Sequence, residues 1–132
     1  MARGEMAAEL LATAKSDFKA LRHMANPDAF DDRVFGFHAQ QAVEKALKAW
    51  LNLLGRSHPL THDLSLLLHE LEQQGADVDA YWDFVDLSGY AVRFRYEVSP
   101  EGEEPLERDA ILSAVRGLIG HVEKLAQNTE QD

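Results

Sequence analysis

The chain has 132 residues, 45% of them hydrophobic, which is enough to bury an ordinary core, so we expect one domain over residues 1–132. It has no cysteine, which excludes disulfides, thiolate metal sites and a cysteine nucleophile. The formal net charge is −10, concentrated in residues 61–132, and it opposes unaided binding to nucleic acid while allowing a local cationic pocket.

Two long helices are predicted in the first half of the chain. Apolar residues recur at helical spacing over about residues 3–25, and Asn26–Pro27 ends the pattern. Asp31 or Asp32 can cap the next helix, which is expected to end at Gly55, a residue suited to the left-handed position after a helix.

The second helix contains FHAQQAVEKALKAW, residues 37–50, which divides into two faces. One face is an apolar arc interrupted only by Gln40, and it predicts a helix that lies centrally or also packs against a second subunit. The opposite face carries a strip of donors and charges: His38, Gln41, Glu44, Lys45 and Lys48. This strip is either a solvated face, with Glu44 and Lys48 paired at the i,i+4 spacing, or the wall of a groove that contacts phosphates and a base edge.

Three further segments follow. A short third helix is expected after the loop at Pro59, with Thr61 or Asp63 as its cap and Gly75 as its end. Residues 79–96 have a mainly helical period, and residues 97–104 form a loop.

The last helix is expected to have Pro105 in its first turn and an apolar stripe from Ile111 to Leu125, while residues 127–132 fray. Five helical segments, with no credible strand, predict an all-α, up-and-down bundle of four main helices and a shorter one.

Three motifs in this order resemble the HEPN domain family, small helical-bundle proteins that often occur beside minimal nucleotidyltransferases. They are FHAQQAVEKALKAWL (37–51), HPLTHDLSLLLHEL (58–71) and YAVRFRYE (90–97). The resemblance implies a HEPN-like bundle that forms a homodimer. It also implies a nucleotidyltransferase as the partner, in a toxin–antitoxin-like pair.

The sequence departs from the family in two places. The proline that usually follows Arg-Tyr is Glu97 here, and neither Arg93 nor Arg95 is followed by the histidine that marks the ribonuclease branch. An Arg and a His at that spacing do occur elsewhere in the chain, at Arg33–His38, Arg56–His62 and Arg116–His121. In the first and the last of these pairs, five helical steps turn the two members away from each other if both lie on a regular helix.

The candidate ligand contacts lie in three places. On the second helix they are His38, Gln41, Lys45 and Lys48, and at the start of the third helix His62 and the backbone N–H groups can receive an anion, or simply cap the helix. In the third place, Arg93 and Arg95 can bind phosphate and Tyr96 can stack on a base, unless they neutralise nearby acids or pack. No metal site or cofactor is indicated.

These residues lead to one functional hypothesis with two alternatives. The first is a non-catalytic nucleotide-binding or adaptor subunit whose partner chain supplies the catalytic metal ligands. The alternatives are a metal-independent ribonuclease, in which case RNA is the substrate, and a bundle that serves only for dimerisation. With no stretch apolar enough for a signal peptide or a membrane span, we expect a cytoplasmic protein without a membrane partner.

Overall fold

The computed structural model describes residues 3–90 and 105–131. Four α-helices and one 3₁₀ helix make up these ranges: α1 Arg3–His23, α2 Asp32–Leu53, α3 Leu64–Gln73, the 3₁₀ helix Asp79–Leu87 and α4 Arg108–Gln131. The described ranges contain no strand, so the prediction of an all-α helical bundle is confirmed. None of the helices in the described ranges is both long enough and apolar enough to cross a lipid bilayer.

The helix ends are set by local chemistry that the sequence shows. The Asp31 side chain accepts a hydrogen bond from the Val34 N–H, and the Asp63 side chain accepts one from the Ser65 N–H. Gly55 and Gly75 follow α2 and α3 with φ values of 83° and 87°, where a side chain would strain the backbone. The predicted caps and ends of α2 and α3 are therefore confirmed.

α2 is the central helix of the bundle. Of its 22 residues 14 are buried, because α1, α3, α4 and the 3₁₀ helix all pack against it. The prediction that α2 lies centrally is confirmed.

The segment after Gly75 differs from the prediction, because residues 79–87 form a 3₁₀ helix and not an α-helix. Five apolar or aromatic residues recur at every third position in and around this segment, and they favour the tighter helix: Val78, Tyr81, Phe84, Leu87 and Tyr90. A 3₁₀ helix has three residues per turn, so it places all of them on one side. Four of these five side chains are buried and Tyr81 is partly buried.

The last helix also differs from the prediction at both ends. It begins at Arg108, so Pro105 precedes the helix and is not in its first turn. At the other end the helix continues to Gln131, although residues 127–132 were expected to fray. Polar residues of good helix propensity, such as Gln127, allow the backbone to continue past the last buried turn.

Arg108, which the sequence does not single out, fastens the start of α4 to the rest of the bundle. Its side chain is 7% exposed and donates to the Met24 carbonyl at 2.7 Å, the Phe30 carbonyl at 2.6 Å and Asp32 Oδ1 at 2.9 Å. The guanidinium also lies 5.0 Å from the centre of the Phe35 ring. One buried cation thus joins the α1–α2 loop, the first turns of α2 and α4.

Tyr90 packs against α2 at a glycine. A Cβ atom on Gly36 would lie 2.5 Å from the Tyr90 ring, so only glycine allows this approach. Gly36 is one helical turn before Gln40, so the aromatic ring is fixed next to the polar residues described below.

Candidate functional site

The charged strip of α2 is more deeply buried than a solvated face would be. Glu44 is 4% exposed and Lys48 is 8% exposed, so the solvated-face interpretation is wrong for these two residues. The cause is nonlocal, because the loop before α3 folds over this side of α2 and brings His58 and His62 against it. The predicted i,i+4 pair is confirmed, with Lys48 Nζ 3.0 Å from Glu44 Oε2.

Glu44 is the hub of a hydrogen-bonded group that we call the polar cluster: Gln40, Gln41, Glu44, Lys48 and His62. Glu44 Oε1 accepts from Gln40 Nε2 at 2.9 Å and from His62 Nδ1 at 2.8 Å, while Oε2 accepts from Lys48. Gln40 Nε2 also donates to the His62 carbonyl at 3.1 Å, and Gln40 Oε1 accepts from Gln41 Nε2 at 2.7 Å. The cluster therefore joins α2 to the residue that precedes the α3 cap.

Opposing effects act on the Glu44 carboxyl. Burial raises its pKa, but hydrogen bonds from His62, Gln40 and Lys48, together with the positive charge of Lys48, outweigh burial and hold the pKa below its ordinary value. Glu44 is thus an ionised carboxylate at neutral pH and can only accept hydrogen bonds. It follows that His62 Nδ1 carries the proton in this contact.

His62 is the one strongly exposed member of the polar cluster. Its side chain is 67% exposed, whereas that of Glu44 is 5% exposed. With Nδ1 held by the carboxylate, the Nε2 edge on the other side of the ring is available to a ligand. A buried acceptor that fixes the ring orientation and tautomer of an exposed imidazole is an arrangement suited to binding or proton transfer.

The backbone at the start of α3 is less available to an anion than predicted. The Leu64 N–H donates to Ser88 Oγ at 3.1 Å, and the Ser65 N–H donates to Asp63 Oδ1 at 3.0 Å. Two of the first amides are therefore already used, and the negatively charged cap disfavours a second anion. Of the two interpretations of this segment, capping is the one that the geometry shows.

The other predicted contacts on α2 lie apart from His62. Lys45 Nζ pairs with Asp17 Oδ2 of α1 at 2.8 Å and lines a cleft of about 290 Å³ between α1 and the loop after α2. His38 Nδ1 lies 2.9 Å from the Val34 carbonyl, and a carbonyl can only accept, so this nitrogen donates to its own helix. The predicted contacts Arg93, Arg95 and Tyr96 lie outside the described residues.

The polar cluster continues along α2 to Asn52 and His58. Asn52 is 2% exposed, and its side chain lies 3.2 Å from His58 Nδ1. Burial lowers the pKa of His58, and the charge of Lys48 lowers it further, while Glu44 acts in the opposite direction. Asn52 and His58 therefore form a mostly uncharged end beside the ionised centre of the cluster.

Sequence reasoning missed Gln40 as a site residue and Glu44 as the hub. A signal was present, because Gln40, Glu44, Lys48 and Asn52 follow one another at intervals of four on an otherwise apolar helix. Such spacing keeps the four polar side chains on nearly one line along the helix.

Arg116 and His121, one of the three Arg–His pairs at the ribonuclease spacing, do not point to a common place, as their spacing predicts. Arg116 lies over the Phe18 ring at 5.7 Å, whereas the His121 ring contacts Trp50 at 4.8 Å between ring centres. Within the described ranges no group of three His, Asp or Glu side chains could hold a metal ion.

Comparisons with known proteins complete this description. A family model described as HEPN domain matches residues 7–125. No curated protein and no solved structure gave a significant match.

Proposed function

Because this chain belongs to the HEPN domain family, we propose that it is a non-catalytic nucleotide-binding adaptor subunit that acts beside a minimal nucleotidyltransferase. The family supports an RNA- or nucleotide-related function in general. In our proposal this chain positions the nucleotide and the partner chain supplies the catalytic metal ligands. The observation that carries the binding role is the exposed imidazole of His62, held by the buried carboxylate of Glu44.

The energetics of the polar cluster favour a role in positioning. Burying Glu44 and Lys48 removes two charges from water, and their mutual attraction recovers little more than that desolvation cost. A buried ion pair is therefore a weak source of stability. Orienting His62 is a role that accounts for such a cluster, and perturbed buried carboxylates of this kind are typical of functional sites.

The polar atoms at the surface of the cluster suit the edge of a nucleobase or a phosphate. His62 Nε2 accepts a hydrogen bond when the ring is neutral and donates one when it is protonated. Gln41 uses Nε2 on Gln40, and its Oε1 has no partner among the described residues, so it can accept from a ligand N–H. The His62 ring is fixed by Glu44 and the Gln41 amide by Gln40, which reduces the entropy lost on binding.

The lysines have a different part in this proposal from the one expected. Lys45 is paired with Asp17 and Lys48 with Glu44, so neither offers an unneutralised charge to a phosphate. Lys48 instead acts through Glu44 on His62. Arg93 and Arg95 stay in the proposal as phosphate contacts and Tyr96 as a base contact. They follow Tyr90 closely in the sequence, and Tyr90 packs against Gly36, which is one helical turn before Gln40.

Calorimetric titration with the four ribonucleoside triphosphates tests the proposal. We expect at least one to bind, and His62→Ala to weaken that binding about tenfold or more through loss of a hydrogen bond to a charged or polar ligand. His69→Ala is the matched control, since His69 is a 65% exposed histidine on α3 outside the cluster. Absence of binding with all four, with or without a purified minimal nucleotidyltransferase, or equal losses in both variants, would contradict the proposal.

The adaptor role also includes self-association. The family resemblance implies a homodimer and a toxin–antitoxin-like pairing with the nucleotidyltransferase. Light scattering on the purified chain, alone and with a minimal nucleotidyltransferase, measures both. We expect a mass of two chains alone and a larger complex in the mixture.

A second candidate function is favoured by the same carboxylate–imidazole pair. A histidine oriented by a carboxylate can transfer protons, so His62 can serve as the general acid or base of a metal-independent ribonuclease. In that case RNA is cut in the presence of a chelator, His62→Ala abolishes cleavage, and Glu44→Gln reduces it. His121→Ala, which removes a ring packed against Trp50, leaves cleavage intact if the protein stays folded.

A further inference from the structure

A second group of charges lies away from the polar cluster, between α1 and α4. We call it the basic cleft. It is a depression of about 300 Å³ lined by Lys15, Phe18, Lys19, Arg22, Arg116, Ile119, Gly120 and Glu123. Its lining has four cations and one carboxylate, in a chain whose net charge is −10. The sign of the local charge is thus opposite to that of the whole molecule.

Two arginines from different helices meet at one aromatic ring in the basic cleft. The Arg22 Cζ atom lies 5.8 Å and the Arg116 Cζ atom 5.7 Å from the centre of the Phe18 ring. Cation–π attraction holds each guanidinium near the ring, while the two positive charges repel one another. Because both arginines line the cleft, an anion bound there would offset this repulsion and could accept hydrogen bonds from both planar groups.

Carboxylates neutralise little of this charge. Lys15 forms an ion pair with Glu123 at 3.2 Å, whereas the other three cations have no ion pair among the described residues. On α1 the three cations follow at intervals of four and three residues, so they share one face and repel one another. Arg22 also gains from the helix dipole in the last turn of α1, but Arg116 lies in the middle of α4 and has no such explanation.

The basic cleft shares no residue with the polar cluster, and it lies on a different side of α1 from the cleft lined by Lys45 and His58. Met6, Leu10, Thr13 and Asp17 form one stripe of α1 and face α2 or the loop after it. The basic residues form another stripe, which faces α4. The buried stripe with Leu11, Ala14 and Leu21 separates them. Whatever His62 binds, the basic cleft is therefore a separate feature.

We propose that the basic cleft binds a compact, multiply charged phosphate group, such as the triphosphate of a nucleotide. A long polyanion would extend beyond the cleft and be repelled by the net charge of −10, whereas a compact anion stays beside Lys19, Arg22 and Arg116. The volume is at the lower end for a small-molecule site, so it holds the phosphates and leaves the nucleoside outside. This inference does not rest on the proposed role of His62.

Titration with inorganic tripolyphosphate tests the inference without a nucleoside. We expect binding that weakens with salt, and Arg116→Ala and Arg22→Ala each to weaken it about tenfold or more. Arg56→Ala removes the same charge from an exposed position elsewhere and is expected to leave affinity within about twofold. Lys19→Ala gives a further variant if either arginine variant fails to fold.

Three results would overturn the inference. They are no binding of tripolyphosphate by the folded protein, equal binding by the wild type and Arg116→Ala, and tighter binding of single-stranded RNA or polyglutamate than of tripolyphosphate. ATP that binds no more tightly than tripolyphosphate indicates phosphate recognition alone, and tighter ATP binding indicates a nucleoside contact as well. His62→Ala is expected to keep tripolyphosphate affinity, which separates this inference from the function proposed for the polar cluster.

Discussion

Arg108 and Glu44 are both charged and buried, yet their surroundings differ. Arg108 contacts the α1–α2 loop and the first turns of α2, and these partners enclose its side chain within the bundle. Glu44 has internal partners in Gln40 and Lys48, but its third partner, His62, is 67% exposed. A buried charged side chain therefore has two different roles: Arg108 holds the helices together, and Glu44 holds the His62 ring toward solvent.

The largest effect on stability is expected from removing the buried cation Arg108. Arg108→Met leaves two carbonyls without this donor and the Asp32 carboxylate without its positive partner, so the free energy of unfolding should fall by about 3–5 kcal/mol. Urea unfolding followed by circular dichroism measures it. Asp109→Asn changes the exposed neighbouring residue and should alter stability by less than about 0.5 kcal/mol. A loss below about 1 kcal/mol for Arg108→Met would refute the role of Arg108 as a fastener.

Glu44→Gln should destabilise the protein less, by about 2 kcal/mol, because Lys48 loses its partner but its long side chain can reach water. Glu72→Gln is the control, since Glu72 also lies near a histidine, His69 at 3.6 Å, but on the surface. It should cost less than about 0.5 kcal/mol. Adding Lys48→Met to Glu44→Gln should restore part of the loss, and a double variant less stable than the single would count against this account of the pair.

Gly36→Ala tests the packing between the two regions, since Gly36 lies between Asp32 and Gln40 on α2. The new methyl group would clash with the Tyr90 ring, and we expect a loss of about 1–3 kcal/mol in thermal or chemical unfolding. Gly117→Ala provides the control, because a Cβ there meets nothing within 4 Å. It should stabilise α4 by about 0.5–1 kcal/mol. Equal effects at both positions would show that Tyr90 does not press on α2.

The contribution of Glu44 to stability should depend on pH, whereas the Arg108 guanidinium keeps its charge. The Glu44 pKa is lowered in the folded protein, so its ionised form stabilises the fold above the unfolded pKa of about 4.3. That contribution is lost as the pH falls through the lower folded pKa. The stability difference between wild type and Glu44→Gln should be constant from neutral pH to about pH 5 and shrink below about pH 4. A stability difference between wild type and Glu44→Gln that grows as the pH falls would contradict a lowered pKa for Glu44.

The smallest stability effect is expected at the exposed end of the polar cluster. His62→Ala should change the free energy of unfolding by less than about 1 kcal/mol, because Glu44 keeps its bonds to Gln40 and Lys48 and the imidazole is mostly in water. Chemical unfolding of His62→Ala and His69→Ala side by side checks this. A loss for His62→Ala as large as that for Glu44→Gln would make His62 a structural residue.

Much of the helical framework could be predicted because its signals are local. Asp31 and Asp63 cap their helices with their own side chains, and Gly55 and Gly75 end them through their own backbone freedom. The spacing of three from Val78 to Tyr90 also indicates a 3₁₀ helix, but it is close enough to the α-helical period to favour an α-helix prediction.

The site could be predicted only in part, because its geometry depends on distant segments. Lys48 and His62 were both predicted as ligand contacts and lie on the same carboxylate, but the burial of Glu44 results from a loop about eighteen residues downstream. The basic cleft combines cations of α1 and α4, and although Phe18 and Arg22 are neighbours at the i,i+4 spacing, no local pattern indicates that Arg116 joins them. Pairings between helices require the packed bundle.

Nuclear magnetic resonance of the His62 side-chain nitrogens, followed during addition of the nucleoside triphosphate that binds, tests the central claim most directly. The account predicts that Nδ1 carries the proton facing Glu44 before addition. On addition the Nε2 resonance should move, while Nδ1 keeps its proton. Resonances of His62 that stay unchanged at saturating nucleotide, or an Nδ1 without a proton in the free protein, would contradict the claim that Glu44 holds His62 for a ligand.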